Sequence, residues 1–388
     1  MAQSSGFRQP MTLDTVVRVS CSVLGLWVGT ALYGQGENQG GFLSPSNPPT
    51  HAPAGAIYLG RSVCAQCHPE EAASHISSPM ANTLRPAAES DSLRSHPGLA
   101  FQAGRYSYRI VRNDDRFIYS VSDGEESVSE PLLWAFGSGK GAVTYVFQHQ
   151  GDYYESRVSF YNPIQGLDFT TGTPHSHTAS PIDAAGAKMS PSRVRDCFGC
   201  HSTGAVRASN VTLDQLIPGI TCEGCHGAGG KHVAAIQAGH IEDAAKRIFN
   251  PGKLNTEQQL EFCGSCHISF SRAIETGVHG IENVRFQPYR LSNSQCYSPD
   301  DRRISCVACH NPHKEAEPDL RSYDSRCLAC HGAPSRNTAA GEKVPPSCPV
   351  ATRDCVTCHM PRYEIPGSHF NFTDHWIRVV KANEPYPG

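Results

Sequence analysis

Seven times along a chain of 388 residues, two cysteines stand three positions apart with a histidine directly after the second. The sets are Cys64, Cys67 and His68; Cys197, Cys200 and His201; Cys222, Cys225 and His226; Cys263, Cys266 and His267; Cys306, Cys309 and His310; Cys327, Cys330 and His331; and Cys355, Cys358 and His359. In a C-x-x-C-H arrangement two thiols can add to the vinyl groups of a haem while the adjoining imidazole reaches its iron. The spacing suits that reaction: two thioether bonds fix one edge of the porphyrin, and one further residue puts a ring nitrogen over the metal from one side. Zinc or a thioredoxin-like redox pair is the competing reading of C-x-x-C, but neither requires the histidine. With 19 histidines in 388 residues, chance would supply all seven about once in a billion trials. The fourteen motif cysteines are therefore expected to hold haem c covalently, and the seven motif histidines to ligate its iron.

The ligand on the opposite face of each iron is not set by the motif, and it separates an electron carrier from a catalyst. His232 lies six residues past His226, and His313 three past His310. Each starts on the proximal side of its own haem, on a tether too short to round the macrocycle, so each is expected to bind the iron of a neighbour. His369 and His375 in SHFNFTDHWIRVV, His175 and His177 in TPHSHTASP, and His279 in TGVHG are the other histidine candidates. Near the first motif, HISSPMANTL offers His75 or Met80, and a methionine ligand there would raise the reduction potential of that haem. His51, His96, His149 and His240 read as structural or exposed.

These cofactors must be held by a chain of modest apolar content, 39% hydrophobic with 35 glycines and 28 prolines. Flat apolar macrocycles would supply much of the interior that Leu and Ile supply elsewhere. The formal net charge of −3 becomes more negative by roughly fourteen charges once haem propionates are counted. No basic run or aromatic-basic patch points to nucleic acid. At the N-terminus, Arg8 and Arg18 precede the apolar stretch VSCSVLGLWVGTALYG, which is short for a membrane span and suits an export signal. Residues 1–34 are read as a signal peptide, or an anchor if it stays uncleaved, followed by a flexible linker over 35–55. Export to the periplasm agrees with c-type haem, which is attached outside the cytoplasm. Cys21 within the apolar run reads as inert, and Cys296 and Cys348 are left as two thiols that an oxidising compartment would allow to pair.

The elements that must position the motifs divide unevenly. A first haem segment is expected over 56–95. From 96 to 172 there is no cysteine, and RYSYRIV, RFIYSVSDGEE and VTYVFQHQGDYYESRVSFY alternate apolar and polar around a turn at Gly151 and Asp152. This predicts a small haem-free antiparallel β module of four to six strands. Residues 173–388 are expected to form a six-haem domain with helical patterning in HVAAIQAGHIEDAAKRIF and NTEQQLEFCGSC, the latter capped at Asn255 or Thr256. The fold class expected is thus a multihaem cytochrome c of mainly short α-helices and loops around stacked haems, with that β module inserted.

The pieces VCAQCHPEEAASHISSPM, CEGCHGAGGKH, CVACHNPH and CVTCHMPRYEIPGSHFNFTDHWIR resemble the cytochrome c-554 superfamily, which includes pentahaem nitrite reductase and octahaem hydroxylamine oxidoreductase. The resemblance implies that His232 and His313 are distal ligands. The final piece is similar to bacterial cytochromes that carry tetratricopeptide repeats after it. No C-x-x-C-K motif of a nitrite-reductase catalytic haem is present, and Met80 stands where the superfamily usually has a histidine. The function expected is electron transfer between periplasmic or membrane-bound redox partners. The alternative is an oxidoreductase in which one five-coordinate haem, the first by preference, acts on a small nitrogen or sulfur compound.

Overall fold

Alternation of apolar and polar residues between 98 and 170 builds long strands, and the computed structural model shows how far they extend. It describes residues 51–52, 55–173, 178–207, 210–332, 347–381 and 384–387. The expected export signal, and with it His175 and His177, lie outside the described residues. Nine strands form one sheet: β1 Leu84–Pro86, β2 Gly98–Ala103, β3 Tyr106–Asn113, β4 Arg116–Ser122, β5 Ser127–Phe136, β6 Ala142–His149, β7 Asp152–Tyr161, β8 Gly166–Phe169 and β9 Gly186–Lys188. Every pairing within it is antiparallel, in the path β9-β7-β6-β5-β4-β3-β2, with β1 added to β5 and β8 to β7.

The sheet curls until β2 and β8 face each other, with the rings of Phe101 and Phe169 edge to face at 5.3 Å, so it nearly closes into a barrel. Its interior is filled by Tyr108, Ile110, Tyr119, Val121, Tyr145, Phe147, Val158 and Phe160, all buried. The short helix Pro181–Ala185 packs against it, and Tyr119 donates to the Ala185 carbonyl at 2.9 Å.

This overturns the expectation of mainly short helices with a small module of four to six strands. The sheet is large, and it draws strands from 84 to 188, beyond the expected 96–172 on both sides. The reason is physical. Strands β1 and β9 have three residues each, too few for alternation to show. Strand β5 carries Pro131 in mid-run, and around a register shift between Leu132 and Trp134 it gives up β4 as partner and takes β1. The hairpin between β6 and β7 turns at Gln150 and Gly151, one residue before the expected Gly151 and Asp152, and Asp152 already opens β7.

A second apolar cluster joins Leu84, Phe136 and Val146 of the sheet to Val194 and Phe198 of the helix that bears the second motif. Beyond residue 216 the described residues form no further cluster of buried apolar side chains, although buried apolar residues such as Leu260, Val284 and Phe286 occur singly. Among the described residues, no helix is long and apolar enough to cross a membrane.

Candidate haem-binding sites

Each motif sits at a short helix. Numbered in chain order, these are α1 Arg61–Cys64, α2 Pro191–His201, α3 Cys222–His226, α4 Thr256–His267, α5 Cys306–Cys309, α6 Asp324–His331 and α7 Cys355–His359. One helical turn puts cysteines three apart on one face, and the local sequence starts several of these turns. In α2, Pro191 occupies the first turn and the Ser190 hydroxyl accepts from Arg193 N. In α4, Asn255 and Gln258 form a reciprocal capping box, at the position the sequence indicated. Helix α7 is started from outside: the buried Asp324 of α6 accepts from Asp354 N at 2.8 Å and from Cys355 N at 2.9 Å. Glu223, between the cysteines of α3, is also buried and accepts from Leu59 N, Gly60 N and Gly229 N at 2.8–3.1 Å, which ties the first motif to the third. Neither carboxylate was singled out from sequence, since both act on chain that is distant or across a turn.

The imidazoles share an orientation. His201, His226 and His359 engage backbone carbonyls through Nδ1, at Thr83 (3.1 Å), Phe249 (2.8 Å) and Arg378 (2.8 Å). A carbonyl only accepts, so in His226 and His359 Nδ1 carries the proton and Nε2 keeps its lone pair for a metal, while Nδ1 of His201 is held nearer still by the Thr83 hydroxyl at 2.6 Å. The non-motif residues His232 and His375 do the same with Ala244 O at 2.8 Å and Thr373 O at 3.0 Å. Burial lowers the pKa of His201, His226 and His310 and pushes that of His375 down to about 4, so these rings are held neutral, as ligands must be.

Two pairs of rings stand at a distance that suits a shared iron. His226 and His313 are 6.0 Å apart between centroids with planes 12° from parallel, and His310 and His375 are 6.2 Å apart at 40°. With metal–nitrogen bonds of about 2.0 Å on each face, two imidazoles on one iron stand roughly 6 Å apart centre to centre. His313 thus pairs with the motif histidine of another helix, as its short tether requires.

Orphaned polar atoms mark the same places. Among the described residues, the buried side-chain N and O atoms without a hydrogen bond are Arg61 Nε, His75 Nδ1, Arg272 Nε, Gln287 Oε1 and Arg378 Nε. Arg61 is part of α1, Arg272 lies in electrostatic range of Cys200 and Cys266, Gln287 faces His267, and Arg378, whose backbone carbonyl holds His359, has its Nε 3.8 Å from Glu384. Buried guanidinium donors beside the motifs match what haem propionates would accept. Together with the missing apolar core beyond residue 216, the residues fit the group. No set of three or more His, Cys, Asp or Glu converges as a metal site among the described residues.

The remaining candidates are placed less tellingly. His369 gives its Nε2 to Asp168 at 2.8 Å and packs on Tyr161, so its metal-binding nitrogen is engaged by the sheet. His279 is exposed at the start of the turn Gly280–Arg285. The Met80 carbonyl accepts from Ile220 N, close to the third motif. His75 is buried near Arg61, His226 and His313. Cys296 and Cys348 are free thiols, and Cys296 lies toward Cys327 and Cys330.

The motifs neighbour one another in a definite order. Thiols of different motifs interact electrostatically at close range in the pairs Cys64 and Cys222, Cys200 and Cys266, Cys263 and Cys306, and Cys327 and Cys355. Cys225 is in electrostatic range of Cys266, and Cys309 of Cys327. The motifs therefore run 1-3-4-5-6-7, with the second joined at the fourth.

A family profile for cytochrome c554 and c-prime matches residues 169–227. Multiheme cytochrome MtrA of Shewanella baltica is 25% identical over 204 residues, covering 48% of this chain and 51% of its own length. Cytochrome c-type protein NrfB of Haemophilus influenzae is 27% identical over 169 residues, covering 42% of this chain and 63% of its own. The chain thus spans between half and two thirds of the curated relatives it matches, and no solved structure matches it. Repeated motifs and relatives together support the class of multihaem c-type cytochromes, with covalently bound haem c as cofactor.

Proposed function

We propose that this chain is an exported electron-transfer protein with seven haems c, one at each motif, that passes electrons between extracytoplasmic redox proteins. The observation that carries the reading is the succession of neighbouring motifs: α1 packs on α3, α4 on α5 and α6 on α7, Cys200 Sγ donates to Ser265 O at 3.7 Å, and Cys225 and Cys309 lie in electrostatic range of Cys266 and Cys327. Electron tunnelling weakens steeply with distance, so macrocycles anchored at neighbouring helices are in position to exchange electrons. Bound haem supplies the one-electron couple of its iron. The polypeptide anchors it, through the fourteen motif cysteines, and orients the imidazoles through Nδ1. His313 is assigned to the iron of His226, and His375 to that of His310. His232, with its Nδ1 fixed in the same way, is the next distal candidate; His279, His369, Met80 and the undescribed His175 and His177 stay behind it.

A second reading is favoured by one observation: Cys67 and His68 of the first motif are both exposed. An open iron there would suit chemistry on a small nitrogen or sulfur compound.

Purified protein from a host that matures c-type cytochromes decides between them. The pyridine haemochrome assay should return seven haems per chain, and the reduced protein should not bind carbon monoxide. A colourless product would end the haem reading. A high-spin signal from one haem that responds to nitrite or hydroxylamine would make it an enzyme.

A further inference from the structure

Asp374 is fully buried and accepts four bonds: from Arg290 Nε and Nη2 at 2.9 Å each, from Arg378 Nη1 at 2.7 Å, and from Trp376 N at 3.0 Å. Arg290 is itself only 1% exposed, its guanidinium 4.9 Å from the Trp376 ring centre and 4.7 Å from that of Tyr386. Buried ion pairs of this kind contribute little net stability compared with apolar packing. What this one touches is more informative. The next residue is His375, across from His310. Four residues on is Arg378, whose carbonyl accepts from His359 Nδ1 at 2.8 Å and whose N–H donates to the His359 carbonyl at 3.2 Å.

We propose that Asp374 is a positioning residue shared by two haems. Its carboxylate fixes His375 on the iron of the fifth motif and, through Arg378, fixes the orientation of His359 on that of the seventh. The same node sets the charge both irons feel. Two guanidiniums face the buried carboxylate of Asp374 and the more exposed one of Glu384, 3.8 Å from Arg378 Nε. Removing the buried negative charge leaves an excess of positive charge that favours the less positive, reduced iron and raises both potentials, and removing a guanidinium does the reverse. This inference rests on the haem reading above and deepens it.

The test is a spectroelectrochemical titration of the holoprotein, with electron paramagnetic resonance of the oxidised form. Asp374→Asn keeps the shape and removes the negative charge. Two of the seven potentials should move to more positive values, and two low-spin signals should change. Arg378→Gln leaves the Arg290–Asp374 pair in place and should move the same two potentials to more negative values, that of the seventh haem most. Opposite signs are the signature, because mere loosening would not reverse direction with the charge removed. Shifts spread over all haems, shifts of one sign in both variants, or no shift would overturn the proposal. If Asp374→Asn fails to mature, Arg378→Gln decides alone, and an unmoved seventh potential counts against it. Absence of haem in the wild-type protein would sink the haem reading; a loaded wild type with unresponsive variants sinks only this inference.

Discussion

At the scale of single residues, the decisive feature is which nitrogen of each imidazole is already spoken for. In His226 the Nδ1 proton goes to Phe249 O, which leaves Nε2 for a metal, and His313 stands 6.0 Å away between ring centres. His313→Ala should therefore open the sixth position of the third haem and leave the fifth, to which His313 is adjacent in sequence, unchanged. Magnetic circular dichroism would register about one seventh of the haem turning high-spin; carbon monoxide binding to the fifth haem instead would refute the assignment. His369 shows the limit of reading ligands from sequence. It shares a short segment with His375, yet its Nε2 faces Asp168 while Nε2 of His375 stays free. The motif cysteines and histidines are legible because attachment is a local pattern of five residues. Distal ligands depend on which helices pack together, and no spacing encodes that. The buried Arg290–Asp374 pair, 84 residues apart, was invisible for the same reason.

At the scale of elements, the strands with clear alternation, β3, β4, β6 and β7, could be read from sequence, as could the cap of α4. The three-residue strands and the Pro131-bearing β5 could not, and they make the difference between a small module and a sheet that nearly closes. The sheet does more than sit between motifs. Its Phe136 and Trp134 pack on Phe198 of α2 at 5.0 and 5.8 Å, and Thr83, just before β1, holds His201. Short helices with so little apolar surface need side-chain anchors of this sort, and Glu223 is the clearest. Glu223→Gln would turn an amide N–H₂ toward backbone N–H groups now bound by a carboxylate. The expected loss is about 1–3 kcal/mol, concentrated at the junction of residues 57–60 with α3. Thermal unfolding together with limited proteolysis before Cys64 checks it: a variant as resistant as wild type would mean the clamp contributes nothing.

At the scale of the whole molecule, the order of contacts makes a claim that no single site makes. The fourth motif is a junction: Cys266 meets Cys200 of the second and is in electrostatic range of Cys225 of the third, while Cys263 meets Cys306 of the fifth. The seventh motif, in contrast, is joined through Cys355 and Cys327 to the sixth. If electrons follow these contacts, removing the fourth haem and removing the seventh should have different kinetic consequences despite deleting the same cofactor. The double change Cys263→Ala, Cys266→Ala should strand the second haem and separate the first and third from the fifth, sixth and seventh. After flash photoreduction, redistribution among the remaining haems should then split into a fast phase within each group and a phase slower by at least tenfold between them, a barrier difference of about 1.4 kcal/mol. Cys355→Ala with Cys358→Ala should leave a single fast phase among the remaining haems. Equal kinetics in the two variants would mean that current does not pass through the fourth motif. Because both variants lose one haem and two thioethers, general loosening would affect them alike, and the contrast between them isolates position in the chain of contacts as the cause.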